Sequence, residues 1–233
     1  MTHKTHGPFT GFTPDTLDFL QSLAANNNRE WFEAHKEEYQ LVLQEPLRRL
    51  AGALAAPLMA IDDNLIVEPR RVVSRIYRDT RFSRNKSPYK TNMWLTFKRP
   101  LSDWQDAPSF FFELSAETWR YGMGFYSASK ETMDRMRQQI ERKPAEFQRS
   151  IAFLAKQDRF VVEGEHYKRL INPSVPEHLR PWHQRKTLYL VCNRQSDRQL
   201  YSKDLVSELI TGFNQLEPLY HTFSKLRIKP VRS

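Results

Sequence analysis

The chain has 233 residues, enough for one large domain or two small ones, and its hydrophobic fraction of 39% suffices for a buried core. One cysteine excludes a disulfide framework within the chain, and no apolar stretch near the start resembles a secretory signal. We therefore expect a cytoplasmic protein that does not enter a membrane. The formal charge of +9 favours anionic partners if it is concentrated in one place.

The opening fifty-odd residues predict a helical hairpin. Thr13-Pro14 is typical of a helix start, because a hydroxyl can cap the helix and proline suits its first turn. The asparagines at 26–28 interrupt this helix, and one of them is expected to cap a second helix that carries Trp31 and Phe32. Residues 1–12, before the hairpin, are expected to be flexible.

The middle of the chain predicts strands. Short β-prone runs occur at 65–67, 72–73, 76–77 and 93–97, and the runs 110–114 and 121–126 flank a turn that predicts a hairpin. The connections are too short for crossover helices, which favours antiparallel pairing.

Helices return in the last part of the chain. Ser129 and Pro144 are typical of helix starts, 188–192 predicts a late strand, and Ser202 is expected to cap the last helix. We therefore predict an α+β fold, in which the N-terminal helical hairpin and the later helices pack on a mainly antiparallel sheet. No internal repeat or linker divides the chain, so a single domain over 1–233 is expected.

Most of the positive charge lies in one predicted strand and loop, residues 70–92. Asp79 is the only acid between Arg70 and Lys90, so this stretch carries a formal +7 and the remaining chain +2. Its basic residues are Arg70, Arg71, Arg75, Arg78, Arg81, Arg84, Lys86 and Lys90. A polar loop of about a dozen residues between two strands is long enough to suggest a functional loop.

Two motifs resemble the family catalogued as domain of unknown function 2461. Asn-Asn-Arg-Glu-Trp-Phe at 27–32 is similar to the family's first motif, and 75–91 is similar to its second, Arg-Ile-x-Arg-Asp-x-Arg-Phe-Ser-x-Asp-Lys-Ser-Pro-Tyr-Lys-Thr. Asn85 stands where the family usually has Asp, and a later acidic and histidine-containing stretch is only loosely echoed at 172–178. The resemblance implies a fold and assigns no catalytic residue.

The basic segment has three interpretations. In the first interpretation it binds a phosphate-containing or other anionic ligand, because the planar guanidinium groups of arginine and side-chain hydroxyl groups donate hydrogen bonds to oxyanions. Alternatively, it follows a single-stranded nucleic acid, with Tyr77, Phe82 and Tyr89 as stacking surfaces. In the third interpretation it is structural, and its cations form internal ion pairs. The residues expected to contact or shape a ligand site are Arg75, Arg78, Asp79, Arg81, Ser83, Lys86, Ser87, Tyr89 and Lys90.

Supporting roles are expected from Arg29 and Glu30. Either of them would meet the basic loop, or the two would form a capping pair at the start of the second helix. An enzyme acting on a phosphorylated substrate is a variant of the first interpretation. The only local candidate bases are then Tyr77 and Tyr89, with a pKa lowered by neighbouring arginines. No phosphate loop, dinucleotide fingerprint or nucleophile elbow occurs, and the histidines lack the spacing of a helical zinc site. The sequence therefore predicts no cofactor and no metal, and it leaves the oligomeric state open.

Overall fold

The computed structural model describes residues 7–81, 83–100 and 104–226. Helices and one five-stranded antiparallel sheet make up the fold, which confirms the predicted α+β class. The helices are α1 (Pro14–Ala25), α2 (Arg29–Ala34), α3 (Lys36–Glu38), α4 (Glu45–Ile61), α5 (Pro69–Val72), α6 (Lys130–Arg142), α7 (Pro144–Ile151), α8 (Arg180–His183) and α9 (Leu205–Ser224). The strands are β1 (Asn92–Phe97), β2 (Ser109–Ser115), β3 (Thr118–Gly124), β4 (Val161–Glu163) and β5 (Tyr189–Gln195), in the order β1-β2-β3-β5-β4.

The N-terminal helices begin where the capping residues predict. Pro14 lies in the first turn of α1, and the Asn28 side chain caps α2 by accepting a hydrogen bond from the Trp31 amide at 3.0 Å. A π-helical turn, Tyr39–Gln44, connects α3 to α4, and its wider winding allows Gln44 to donate to the Tyr39 hydroxyl at 3.1 Å. Such π turns inside helices are frequent at functional sites.

The predicted strand before the basic loop is wrong in its first part. Residues 70–72 lie in the short helix α5, because Pro69 suits a first helical turn and the Val72 amide then bonds to the Glu68 carbonyl at 3.1 Å. The chain that follows makes only isolated antiparallel bridges, Val73 to Leu95 and Tyr77 to Tyr89. Residues 65–67 do not form a strand either. β-Branched residues favour strands only where a neighbouring strand pairs with them.

The remaining strand predictions are confirmed. β1, the β2–β3 hairpin and β5 lie at the predicted positions, and α6 and α7 begin directly after Ser129 and at Pro144. The sequence did not predict β4, whose three residues pair antiparallel with β5, with Val161 opposite Val191. A strand of three residues is too short to show an alternating pattern.

The described chain groups into two compact units. The first consists of Met1–Phe97, Phe111–Tyr121 and Asn193–Thr211, and the second of Lys98–Phe110, Gly122–Cys192 and Gly212–Ser233. One boundary directly follows β1 and the others fall inside β2, β3, β5 and α9, so the expected single domain over 1–233 stays a prediction.

Aromatic side chains fill the core of the first unit. Phe12 is buried and stacks on Phe112 with ring centroids 6.0 Å apart, and Phe9 is buried against Phe12. Packing therefore begins at Phe9, inside the stretch 1–12 that was expected to be flexible; residues 1–6 lie outside the described part of the chain.

The second unit has a core of its own. Phe110 lies between Phe213 and Tyr220, at centroid distances of 5.1 and 4.8 Å, and Phe147 packs edge-on against Trp182. All five rings are buried. This unit carries none of the site residues predicted from the sequence.

Candidate functional site

The two sequence motifs meet at one backbone position. The Asn27 side chain accepts a hydrogen bond from the Tyr89 amide at 3.0 Å and donates one to the Tyr89 carbonyl at 3.1 Å. An amide side chain suits this role because it is both acceptor and donor. Arg29 and Glu30, which were expected to meet the loop, are exposed in the first turn of α2 and make no side-chain hydrogen bond within the described chain. Asn27 is therefore the residue that fastens the basic segment to the helical hairpin.

Tyr89 is a packing residue. Its side chain is 2% exposed and stacks on Phe32 at a centroid distance of 4.1 Å, with Tyr77 next to it at 5.5 Å. Burial raises the pKa of Tyr89, so the expectation of a lowered pKa at this hydroxyl is wrong. The buried ring is also not accessible for stacking on a nucleic-acid base. Tyr89 instead holds the basic segment against α2.

Three residues that were predicted to contact a ligand donate hydrogen bonds to backbone carbonyls of the basic segment instead. Lys86 Nζ donates to the Thr80 carbonyl at 2.9 Å, Lys90 Nζ donates to the Arg75 carbonyl at 2.9 Å, and Arg78 Nε donates to the Tyr89 carbonyl at 3.4 Å. These bonds shape the loop and favour the structural interpretation for part of the positive charge.

Asp79 holds one arginine in place, as expected, and that arginine is Arg81. The Arg81 guanidinium donates from Nε and Nη2 to the two Asp79 oxygens at 3.0 and 2.7 Å. These hydrogen bonds lower the pKa of Asp79 to about 2. The pair is well exposed, so it contributes little to stability.

Local turns shape the tip of the loop. The backbone amide of Asn85 donates to Ser83 Oγ at 3.2 Å, and the backbone amide of Ser87 donates to Asn85 Oδ1 at 2.9 Å. Both are side-chain turns of the kind that Ser and Asn favour. The Ser83 and Asn85 side chains therefore shape the loop, and Ser87 takes part through its backbone amide. The predicted stacking residue Phe82 lies outside the described residues.

Three cations of the segment lie close together. Burial lowers the pKa of Lys90, and the neighbouring charges of Arg75 and Arg78 lower it further. The Arg75 side chain is exposed and makes no hydrogen bond or ion pair within the described residues. The repulsion among these charges is not offset by a carboxylate at Arg75, which leaves its guanidinium available to a ligand.

Arg75 lines a cleft of about 230 Å³ beside the π-helical turn. The wall opposite comes from the N-terminal helices, so the cleft joins the two motifs in one place. Its lining residues are Phe32, Lys36, Tyr39, Gln40, Gln44, Arg75, Ile76 and Tyr77. Among them the Arg75 guanidinium, the Gln40 amide and the Tyr77 hydroxyl have no hydrogen-bond partner in the described part of the chain. Lys36 pairs with the exposed Glu33 at 3.1 Å. Sequence reasoning missed the contribution of Lys36, Gln40 and Gln44.

A second polar cleft, of about 350 Å³, lies on the sheet and was not predicted. Its lining residues are Glu113, Ser115, Thr118, Trp119, Arg120, Asn193, Arg194 and Gln195. Glu113 and Arg120 form a cross-strand ion pair between β2 and β3. The one available signal was Glu113 itself, a charged residue inside the apolar run of β2. Charged residues are seldom buried unless they are paired.

No group of three or more His, Cys, Asp or Glu side chains in the described chain could hold a metal ion. None of the described helices combines the length and apolar character that crossing a membrane requires.

The fold and the joined motifs define an α+β protein whose basic segment is fastened to an N-terminal helical hairpin. Comparison with protein families matches residues 15–221 to the family described as Conserved hypothetical protein (DUF2461), and the chain belongs to this family. This confirms the resemblance seen in the sequence. No curated protein matches the chain.

Proposed function

We propose that this protein binds a phosphate-containing anion in the cleft between the basic segment and the N-terminal helices. The observation that carries the proposal is the Arg75 guanidinium, which lines the cleft together with the Gln40 amide and the Tyr77 hydroxyl; none of the three groups has a polar partner among the described residues. Guanidinium, amide and hydroxyl groups are all donors to oxyanions.

Electrostatics supports this location over the loop tip. Arg75 and Arg78 already disfavour the charged form of Lys90, so a bound anion would offset a repulsion that the protein contains without it. At the loop tip, by contrast, Asp79 neutralises Arg81 and Lys86 is bonded to the backbone. Of the contacts predicted from the sequence, we therefore assign Arg75 to the ligand directly, with Arg78 and Lys90 adding to the positive potential.

Inorganic pyrophosphate is a suitable probe, with binding measured by calorimetry at constant ionic strength. The matched variants are Arg75→Ala and Arg71→Ala. Both remove one exposed arginine from the same segment, but Arg71 lies in α5 and does not line the cleft. Loss of a charge-assisted hydrogen bond is expected to weaken binding roughly 10- to 100-fold in Arg75→Ala, whereas Arg71→Ala should stay within about twofold.

Equal weakening by the two variants would mean that pyrophosphate responds to net charge alone, and the cleft assignment would then be wrong. Absence of binding to the wild-type chain would remove the proposal.

Catalysis on a phosphorylated substrate is an extension of the same proposal. The cleft supplies groups that stabilise negative charge, and the exposed Tyr77 hydroxyl replaces buried Tyr89 as the local candidate base. A panel of phosphatase, nuclease and transferase substrates tests this extension. Turnover that disappears in Tyr77→Phe and persists in Tyr89→Phe would support it, while no turnover with any substrate would leave a binding protein.

Binding of single-stranded nucleic acid is the second candidate, and one observation favours it. The Tyr77 ring is 53% exposed next to Arg75, so a base could stack on it while a phosphate meets the arginine. Each phosphate contact to a single strand contributes about −0.7 to the slope of log affinity against log salt. Fluorescence anisotropy with a labelled single strand at two salt concentrations measures that slope. No binding at low salt would eliminate this candidate.

We also infer a cytoplasmic location. The support is the single cysteine, Cys192, which is buried and cannot form a disulfide within the chain.

A further inference from the structure

The polar cleft on the sheet contains two arginines that are each backed by a carboxylate. Glu113, with a side chain 10% exposed, accepts hydrogen bonds from the Asn92 amide at 2.5 Å and from Arg120 Nε. Arg120 is 33% exposed and lies over the Trp94 ring, 5.5 Å from its centroid. The guanidinium is therefore paired with a carboxylate through Nε and also lies over an aromatic ring.

The second arginine is also paired with a carboxylate that is less exposed than the cation. Arg194 Nη2 lies 3.7 Å from Glu208 Oε1, and the same oxygen accepts a hydrogen bond from the Tyr121 hydroxyl at 2.7 Å. The Glu208 side chain is 10% exposed and that of Arg194 is 41% exposed. In both pairs the carboxylate lies underneath and the cation is the partner that reaches solvent.

This arrangement favours an anion at the mouth of the cleft, because the cation is the more exposed partner in each pair. The formal charges of the two pairs cancel, yet an approaching ligand meets the guanidinium groups first. Arg120 uses Nε for Glu113, while its two terminal nitrogens have no partner among the described residues. A guanidinium fixed in this way presents a planar pair of donors, the geometry that matches two oxygens of one oxyanion.

The surrounding groups suit a small ligand. Asn193 and Gln195 from β5 add amide groups to the lining, and the volume of about 350 Å³ is at the lower end of the range for small-molecule sites. Every lining residue lies on β2, β3 or β5, which gives the cleft a more rigid frame than the basic loop.

We propose that this sheet cleft is a binding site for a small oxyanion-bearing molecule, in which Arg120 makes a bidentate contact and Arg194 a second charged contact. The chemistry fits a carboxylate or a phosphate group, and the experiment separates the two. The site lies on different residues from the Arg75 cleft, so it stands or falls independently of the function proposed above.

The test uses the full chain with succinate and inorganic phosphate as separate probes, and follows backbone amide shifts of β3 and β5 by NMR at constant ionic strength. Arg120→Lys keeps the charge and removes the planar fork. We expect it to weaken binding of the better probe about tenfold or more. Arg194→Lys should have a smaller effect in the same direction. The matched control is Arg198→Lys, an exposed arginine three residues after Gln195 that does not line the cleft, and it should leave affinity unchanged.

Succinate binding identifies a carboxylate site, and phosphate binding identifies a phosphate site. Failure of both probes to shift these amides overturns the proposal, as does equal affinity in wild type and Arg120→Lys. Since Arg120 also pairs with Glu113, the unfolding midpoint of each variant is measured without probe. If Arg120→Lys does not fold, the probe affinity of Arg194→Lys is the deciding measurement. If that affinity equals the affinity of the control Arg198→Lys, the result contradicts the proposed site.

Discussion

Asn27→Ala is expected to lower the free energy of unfolding more than Asn→Ala at either of the two neighbouring asparagines. Asn27 makes both of its hydrogen bonds to the Tyr89 backbone, 62 residues away. Each such bond contributes roughly 1 kcal/mol net, so Asn27→Ala should lower the free energy of unfolding by about 2 kcal/mol. For a chain of this size that corresponds to a fall in Tm of about 4–8 °C.

The neighbouring asparagines provide matched controls with different partners. Asn28 caps α2, so Asn28→Ala should lower the free energy of unfolding by about 1 kcal/mol. Asn26 donates only to the Ser22 carbonyl in an exposed position, so Asn26→Ala should cost about 0.5 kcal/mol or less. Asn27→Asp keeps an acceptor for the Tyr89 amide but sets an oxygen against the Tyr89 carbonyl in place of the donor, and should be less stable than wild type.

Urea denaturation of the four variants gives the free energies, and hydrogen exchange gives the location of the effect. The Tyr89 amide should exchange faster in Asn27→Ala than in Asn28→Ala, because only the first change removes its acceptor. If Asn27→Ala costs no more than Asn26→Ala, or leaves Tyr89 exchange unaltered, the two motifs are not joined through this side chain.

Two further predictions concern charge and backbone packing. The pKa of Asp79 should be about 2 by NMR titration, and it should return toward its ordinary value in Arg81→Ala. The stabilising effect of the Asp79–Arg81 pair is present above the ordinary carboxyl pKa and is lost as the pH falls through about 2. A normal pKa for Asp79 in wild type would contradict the ion pair. Gly122→Ala should lower the free energy of unfolding by about 3 kcal/mol or more, because a Cβ there would lie 1.9 Å from the Leu190 carbonyl oxygen. The control is Gly52→Ala in α4, where a Cβ meets nothing within 4 Å and the free energy of unfolding should rise by about 0.5–1 kcal/mol. Equal unfolding midpoints for the two glycine variants would refute this contrast.

The sequence determined features that depend on neighbouring residues. Pro14, Ser129 and Pro144 place helix starts because capping and a fixed φ act within one turn. The β2–β3 hairpin follows from two apolar runs around a short turn. The two motifs were sufficient to indicate the family, since motif recognition needs only local identity.

The tertiary structure decided which of the predicted site residues are available to a ligand. Arg75 and Lys86 look alike in the sequence, yet one lines a cleft and the other bonds to its own loop backbone. Tyr89 changed from a candidate base to a buried packing residue, because its environment comes from a helix about sixty residues earlier.

The sheet cleft lay furthest from what the sequence could predict. Glu113 and Arg120 are seven residues apart in a hairpin, and Arg194 reaches the same cleft only because β5 pairs next to β3. Strand order is set by long-range packing, and no local pattern in these residues encodes it. The sequence by itself therefore determined the elements and the position of the positive charge, while the tertiary structure determined which charges are paired, which are buried and which remain open to a ligand.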